Sequence, residues 1–368
     1  MRRALLLVAA LLLLATACSE DKPAAAVPWE QVKLPAEAVA LASSGDQLLV
    51  GLRDRNAKVV PRLLLVDGDK QREVKLSPSP SSPYSFHAIW KSIAYDGRRV
   101  LALGGAAGGA HSNVRWTVWT GDTTALKELP QVFTTFGGPD AGRVYSAVVT
   151  PTGQALLGAW ASKTSGLDAA VWLPQGERWT RQDSTGTVLR SQPSLLVGPG
   201  DATAFKESIV QTGSQVRLAK DVVQQEAAVW VSRRLNDGWS SFALPEVGAR
   251  SHGVRVSCGE QLCTVAGWVD GKLALWQLDP TRPDSARRLK GVPDIAVGDK
   301  TPLPPPVLDG DTVVQVVADG NQVKVLRGGD DNWTVQTAAG PTGEVTDARL
   351  VGRTLYLVAG ATLWKSAE

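Results

Sequence analysis

The side chains able to do chemistry are few, so their spacing is weighed first. His87, His111 and His252 are the only histidines in 368 residues. Each falls near a segment rich in turn residues. Three imidazoles converging on one point would make a metal site, but nothing in their spacing demands it, and ordinary loop histidines are the preferred reading. No HExxH, GxSxG or P-loop pattern occurs. Gly104-Gly105-Ala106-Ala107-Gly108-Gly109 is glycine-rich but leads from one strand-like run to another, whereas a phosphate cradle needs a helix N-terminus after it. No catalytic residue, metal or cofactor is therefore expected. Cys258 and Cys263 flank Gly259-Glu260-Gln261-Leu262, a turn between two strand-like runs. Opposed residues in an antiparallel hairpin have Cα atoms about 4.5–5.5 Å apart, within disulfide range, so a hairpin-stapling disulfide is expected.

The third cysteine has a different setting. The chain opens Met1-Arg2-Arg3, continues through an uncharged run from Ala4 to Leu14, and reaches Ala15-Thr16-Ala17-Cys18. Basic residues, a short apolar run and small residues are the order of a secretory signal. The run is too short to span a bilayer, which takes roughly 20 apolar residues. Leu14-Ala15-Thr16-Ala17-Cys18 resembles the lipobox of bacterial lipoproteins, with Ala15 where leucine is commonest. The resemblance implies a diacylglycerol on Cys18 and cleavage before it, so residues 1–17 are a signal peptide. An ordinary signal peptide followed by a cysteine is the alternative. Residues 18–27, small and charged with one proline, read as a flexible tether. Export, retention at the cell membrane and an oxidising compartment follow as expectations.

The elements that would position any site come from composition and periodicity. The net charge of +3 is small for this length and no Lys/Arg block stands out, so a nucleic-acid partner is not expected. Thirteen tryptophans stand against five phenylalanines and four tyrosines, and they recur in register. Val118-Trp119-Thr120, Val171-Trp172-Leu173, Val229-Trp230-Val231, Leu275-Trp276-Gln277 and Leu363-Trp364-Lys365 step by 53, 58, 46 and 88 residues. The last step is nearly a double period, filled by Val325-Leu326-Arg327. Before each comes an apolar strand rich in small residues, such as Val100-Leu-Ala-Leu-Gly104, and before that a tight Gly/Asp turn. Arg178-Trp179-Thr180, Gly238-Trp239-Ser240 and Asn332-Trp333-Thr334 open a fourth strand.

Four antiparallel strands repeated in this way are the blades of a β-propeller. The units fall near 38–77, 87–132, 142–184, 191–246, 251–293 and 301–339, and a last unit from Glu344 has only three strands. Pro28-Trp29-Glu30-Gln31-Val32-Lys33-Leu34-Pro35 is similar to Gly238-Trp239-Ser240-Ser241-Phe242-Ala243-Leu244-Pro245 and would supply the missing strand. The expected fold is all-β: a seven-bladed propeller over residues 28–368, closed by antiparallel pairing of Trp29–Leu34 with Ala361–Lys365. A pair of β-sandwiches is the alternative. Gln211 to Glu226 is polar and reads as a long excursion between strands or a helical turn.

Asn236-Asp237-Gly238-Trp239 and Asp330-Asp331-Asn332-Trp333 resemble the turns of sialidase-type (BNR, Asp-box) propellers, without their full spacing. The resemblance implies fold class. It does not carry the arginine cluster and tyrosine nucleophile of sialidase chemistry onto this chain, because no matching set is found.

Propeller topology places second-to-third-strand turns and inter-blade connections on one face, and here those segments are the long ones. Phe86, His87, Trp90, His111, Arg143, Tyr145, Arg190, Arg250 and His252 are the candidate ligand-binding residues there, each set against its reading as an ordinary loop side chain. The repeated tryptophans read as packing between blades. The function expected is a non-catalytic, membrane-tethered binding or scaffold module, a monomer with an envelope protein, peptide or glycan as partner. A sialidase-like glycan hydrolase or lyase is the alternative, as is a metal- or cofactor-dependent propeller enzyme.

Overall fold

The computed structural model describes residues 27–366 except 83, 109–112 and 221. Residues 1–26, with Cys18, lie outside the described residues, and so does His111. Strands dominate, and among the described residues only two short 3-10 turns interrupt them, at Ser85–His87 and Phe133–Thr135. No described helix is long and apolar enough to cross a membrane.

The strands form antiparallel sheets in chain order. Four sheets have four strands each, spanning residues 37–73, 141–181, 195–243 and 251–288. The 89–129 sheet gains a fifth strand because Lys75–Ser77 pairs parallel with Ala125–Leu129. Lys75–Ser77 thus leaves the 38–77 unit to which the repeat assigned it. The last sheet has eight strands, formed by the 307–342 and 345–366 groups with Val27–Gln31 between them. Val27–Gln31 pairs antiparallel with Thr362–Ser366 (Trp29 opposite Ser366, Gln31 opposite Trp364), as the end-to-end similarity anticipates. It also pairs parallel with Asn332–Thr342, which the sequence did not indicate. The expected excursion at Gln211–Glu226 is instead a long hairpin of Ser208–Ala219 and Val222–Val231. Its polar residues occupy regular ladder positions, and inner ones such as Gln211, Thr212 and Ser214 are buried.

Each group begins with a leading strand, and these strands lie against one another in succession. Glu37–Ser44 touches Ile89–Tyr95, which touches Ala141–Thr150; Leu195–Phe205, Ser251–Cys258, Val307–Asp309 and Val345–Val351 follow, and the last touches Glu37–Ser44. The second strands are nearly continuous apolar runs, such as Leu48-Leu49-Val50 and Leu101-Ala102-Leu103, because sheets cover them on both faces. Trp119, Trp172, Trp230 and Trp276 are fully buried. Trp172 packs on Leu101, Leu103 and Val118 of the preceding sheet, and Trp276 likewise on Val210 and Val229 of the sheet before it. Their indole N–H groups donate to the Thr135 and Pro245 carbonyls of the incoming connections.

A glycine at one register position explains the small residues of the second strands. Gly51, Gly104, Gly158, Gly213 and Gly267 each sit opposite a β-bulge in the leading strand. A Cβ on Gly158 would stand 2.3 Å from the Arg143 carbonyl oxygen, and one on Gly267 would stand 2.0 Å from that of His252. Only glycine allows so close an approach. Cys258 and Cys263 are joined, with Cα atoms 3.9 Å apart, closing the hairpin as the spacing predicts.

Candidate functional site

The leading strands enclose a cavity of about 690 Å³, with wall residues from every sheet. The bulges aim side chains at the neighbouring leading strand, and most polar groups there are used in joining strands. Ser92 Oγ accepts the Ala147 N–H (3.0 Å), Ser146 Oγ the Ala202 N–H (2.9 Å) and Asp201 the Val256 N–H (3.3 Å). Asp347 accepts the Leu41 N–H at 2.8 Å, from the group at the far end of the chain. The charges are also paired: Arg255 lies 3.6 Å from Asp201, Arg349 lies 3.0 Å from Asp347, and Arg53 is bonded to Glu37. The hydrogen bond from Arg53 is the main reason the Glu37 carboxyl lies below its ordinary range, against an opposing effect of desolvation and with further help from Arg55. Lys91 is the exception. It protrudes from a bulge into the cavity. Desolvation, then Arg143 and Arg53, push its pKa below the usual lysine value. Among the described residues, no cluster of His, Cys, Asp and Glu could hold a metal ion.

The described candidates from the sequence are dispersed. Trp90 is a core residue: it is buried, its indole N–H donates to the Arg62 carbonyl, and it packs edge-on against Trp119. It therefore offers a ligand no ring face. Phe86 and His87 lie on the first 3-10 turn, half-buried and exposed respectively. Arg143 lies 6.0 Å from the Tyr145 ring centre, and burial raises the phenol pKa. Arg250 and His252 share the Trp268 ring, at 5.7 Å and 6.2 Å between centres. Burial lowers the His252 pKa, against a smaller opposing effect of Asp299. Arg190 lines a separate pocket of about 260 Å³ with Trp160, Arg181 and Asp183. These residues do not form one site.

The exposed apolar side chains, which sequence reasoning did not single out, are concentrated. Val114, Val132, Phe133, Leu167, Val188, Val222 and Val223 are exposed. All fall at second-to-third-strand turns or inter-sheet connections of the consecutive 89–129, 141–181 and 195–243 sheets. Of the large exposed apolar residues described, only Leu262 and Val335 stand elsewhere. Arg115 lies within this patch, its guanidinium 3.8 Å from the centre of the Phe133 ring. The sequence signal was available in retrospect: valine and phenylalanine in segments otherwise made of turn residues.

No family model matches the chain, and no curated protein matches its sequence. Solved structures do match. The chain is similar to YCF48 bound to D1 peptide, at 11% identity and a TM-score of 0.54, covering 95% of this chain and 99% of that one. It is similar to the β-propeller domain of the trilobed protease of Pyrococcus furiosus, described as having an open velcro topology, at 10% identity and TM-score 0.52, covering 90% and 95%. It is also similar to a puromycin-hydrolysing peptidase of Mycobacterium tuberculosis, at 10% identity and TM-score 0.55. That match covers 92% of this chain and 53% of the peptidase.

Proposed function

We propose that this β-propeller is a non-catalytic binding or scaffold module, exported and lipid-anchored through Cys18, that holds an envelope protein, peptide or glycan partner on its long-loop face. The concentration of exposed apolar side chains on the loops of three consecutive sheets carries the reading. Contiguous exposed apolar surface rimmed by polar residues is the mark of an interaction site. The cavity wall supports it from the other side, because its two acids are engaged in strand-to-strand hydrogen bonds. The fold is also known with a peptide bound, in YCF48.

The ring is read as seven blades. Dividing the eight-stranded sheet at Val27–Gln31 gives two four-strand groups, which join the five other sheets. The pairing of Trp29 with Ser366 and the Asp347-to-Leu41 hydrogen bond support closure between the last group and the first. Val27–Gln31 pairs with outermost strands, which supports an attachment point at the rim for the proposed tether.

A photo-crosslinking residue placed at Val132 in the native cell should yield an adduct of defined mass, and the same residue at Leu262 should yield none. No adduct at Val132, or one only at Leu262, would remove the basis for the reading. In the same cells Cys18→Ala should leave the membrane fraction or accumulate as uncleaved precursor.

A further inference from the structure

Within that patch Arg115 is held against aromatic rings and not against an acid among the described residues. Arg115 lies near the start of strand Asn113–Gly121. Its guanidinium carbon is 3.8 Å from the Phe133 ring centre and 5.8 Å from that of Tyr84. The two rings arrive on separate segments, Tyr84 capping the 3-10 turn before the sheet and Phe133 opening the one after it. Glycine backbone gives each ring its place. A Cβ on Gly108 would stand 2.2 Å from Tyr84 Cε1, and one on Gly137 would stand 2.1 Å from Phe133 Cε2. The clasp is thus built from a strand end and two 3-10 turns, and depends on two glycines.

Arg115 Nε is buried and has no hydrogen-bond partner, and Arg115 enters no ion pair among the described residues. A charged donor left unsatisfied is costly. Contact with aromatic faces restrains the guanidinium, so its fork is prepared for a planar two-oxygen acceptor. Around it Val132, Phe133 and Val114 are 72%, 47% and 37% exposed. A small anion would leave those side chains uncovered; a polypeptide with apolar residues beside an acid would cover them. Aromatic residues and arginine ringed by apolar contacts are also the composition of interface hot spots.

We infer that Arg115, clasped between Tyr84 and Phe133, seats an aspartate or glutamate side chain of a partner polypeptide whose neighbouring apolar residues cover Val114, Val132 and Phe133. This deepens the binding reading and rests on it.

The test is to pan a displayed library of random dodecapeptides on the full-length protein in detergent micelles. Enriched peptides should carry an acid flanked by apolar residues. A synthetic enriched peptide should lose roughly tenfold or more in affinity when its acid is changed to the amide. It should lose about as much against Arg115→Lys, which keeps the charge but not the fork. Circular dichroism of Arg115→Lys and Arg115→Ala should match the parent. If Arg115→Ala does not fold, the Arg115→Lys comparison and the amide peptide carry the test. Enriched peptides without an acid, equal binding to Arg115→Lys, or binding of glucuronate but of no peptide would each overturn the inference. An adduct at Val132 together with peptides lacking an acid would defeat this inference and leave the binding reading standing. No adduct and no enriched peptide would defeat both.

Discussion

The cavity wall and the loop face of residues 84–223 both carry arginine and use it in opposite ways. In the wall, Ser92, Ser146, Asp201 and Asp347 each take a backbone N–H from the next leading strand, and Arg255 and Arg349 are paired with the two acids. On the loop face, Arg115 has a buried donor with no acceptor, and large apolar side chains stand exposed around it. Polar groups satisfied within the chain hold it together.

The largest expected effect falls on the strand that lies between the two end groups. Deleting residues 28–35 removes the pairing with Thr362–Ser366 and the packing of Trp29 on the last groups. The unfolding temperature should fall by roughly 10 °C or more, measured by calorimetry, whereas deleting residues 19–26 should leave it unchanged. Next in size is Gly267→Ala. The added Cβ would meet a backbone oxygen that cannot move aside, so denaturant unfolding should show a loss of about 3 kcal/mol. Asp347→Ala strands the Leu41 N–H and should cost about 1–3 kcal/mol.

These effects also mark how far the sequence could be read. The four-strand repeat, the tight turns, the disulfide and the antiparallel partner of Trp29 were legible, because each depends on local residue types at regular spacing. The strand-to-strand hydrogen bonds were not. Ser92, Ser146, Asp201 and Asp347 are of two residue types, and what makes them equivalent is a bulge that turns each toward its neighbour. Reading Gln211–Glu226 as an excursion failed for a related reason: Gln211, Thr212 and Ser214 look like loop residues, yet they are buried in a hairpin ladder. Tyr84, Arg115 and Phe133 lie on three segments far apart in the chain, so no spacing could announce that they meet. Trp90, chosen for its position in a loop-rich stretch, is claimed by the core.

Two smaller effects sharpen the contrast. Val132→Ser removes an exposed side chain and should change stability by no more than about 0.5 kcal/mol while lowering capture of any partner on that face. His252 gives a pH signature. Burial holds its folded pKa below the ordinary histidine value, so the unfolded chain binds the proton more readily. Stability is then greatest above the unfolded value of about 6.5 and declines as pH falls from there through the folded value. Thermal unfolding between pH 7 and 5 should show that slope, and His252→Gln should flatten it.

The central claim, that the wall is structural and the loop face binds, is tested most directly by the yield of the Val132 photo-adduct in two backgrounds. It would be measured in cells at a temperature where both variants are folded, and normalised to folded protein. The account predicts that Asp347→Ala, though less stable, keeps the adduct, and that Phe133→Ala, with nearly unchanged stability, loses most of it. Loss of the adduct in Asp347→Ala with its retention in Phe133→Ala would contradict the account.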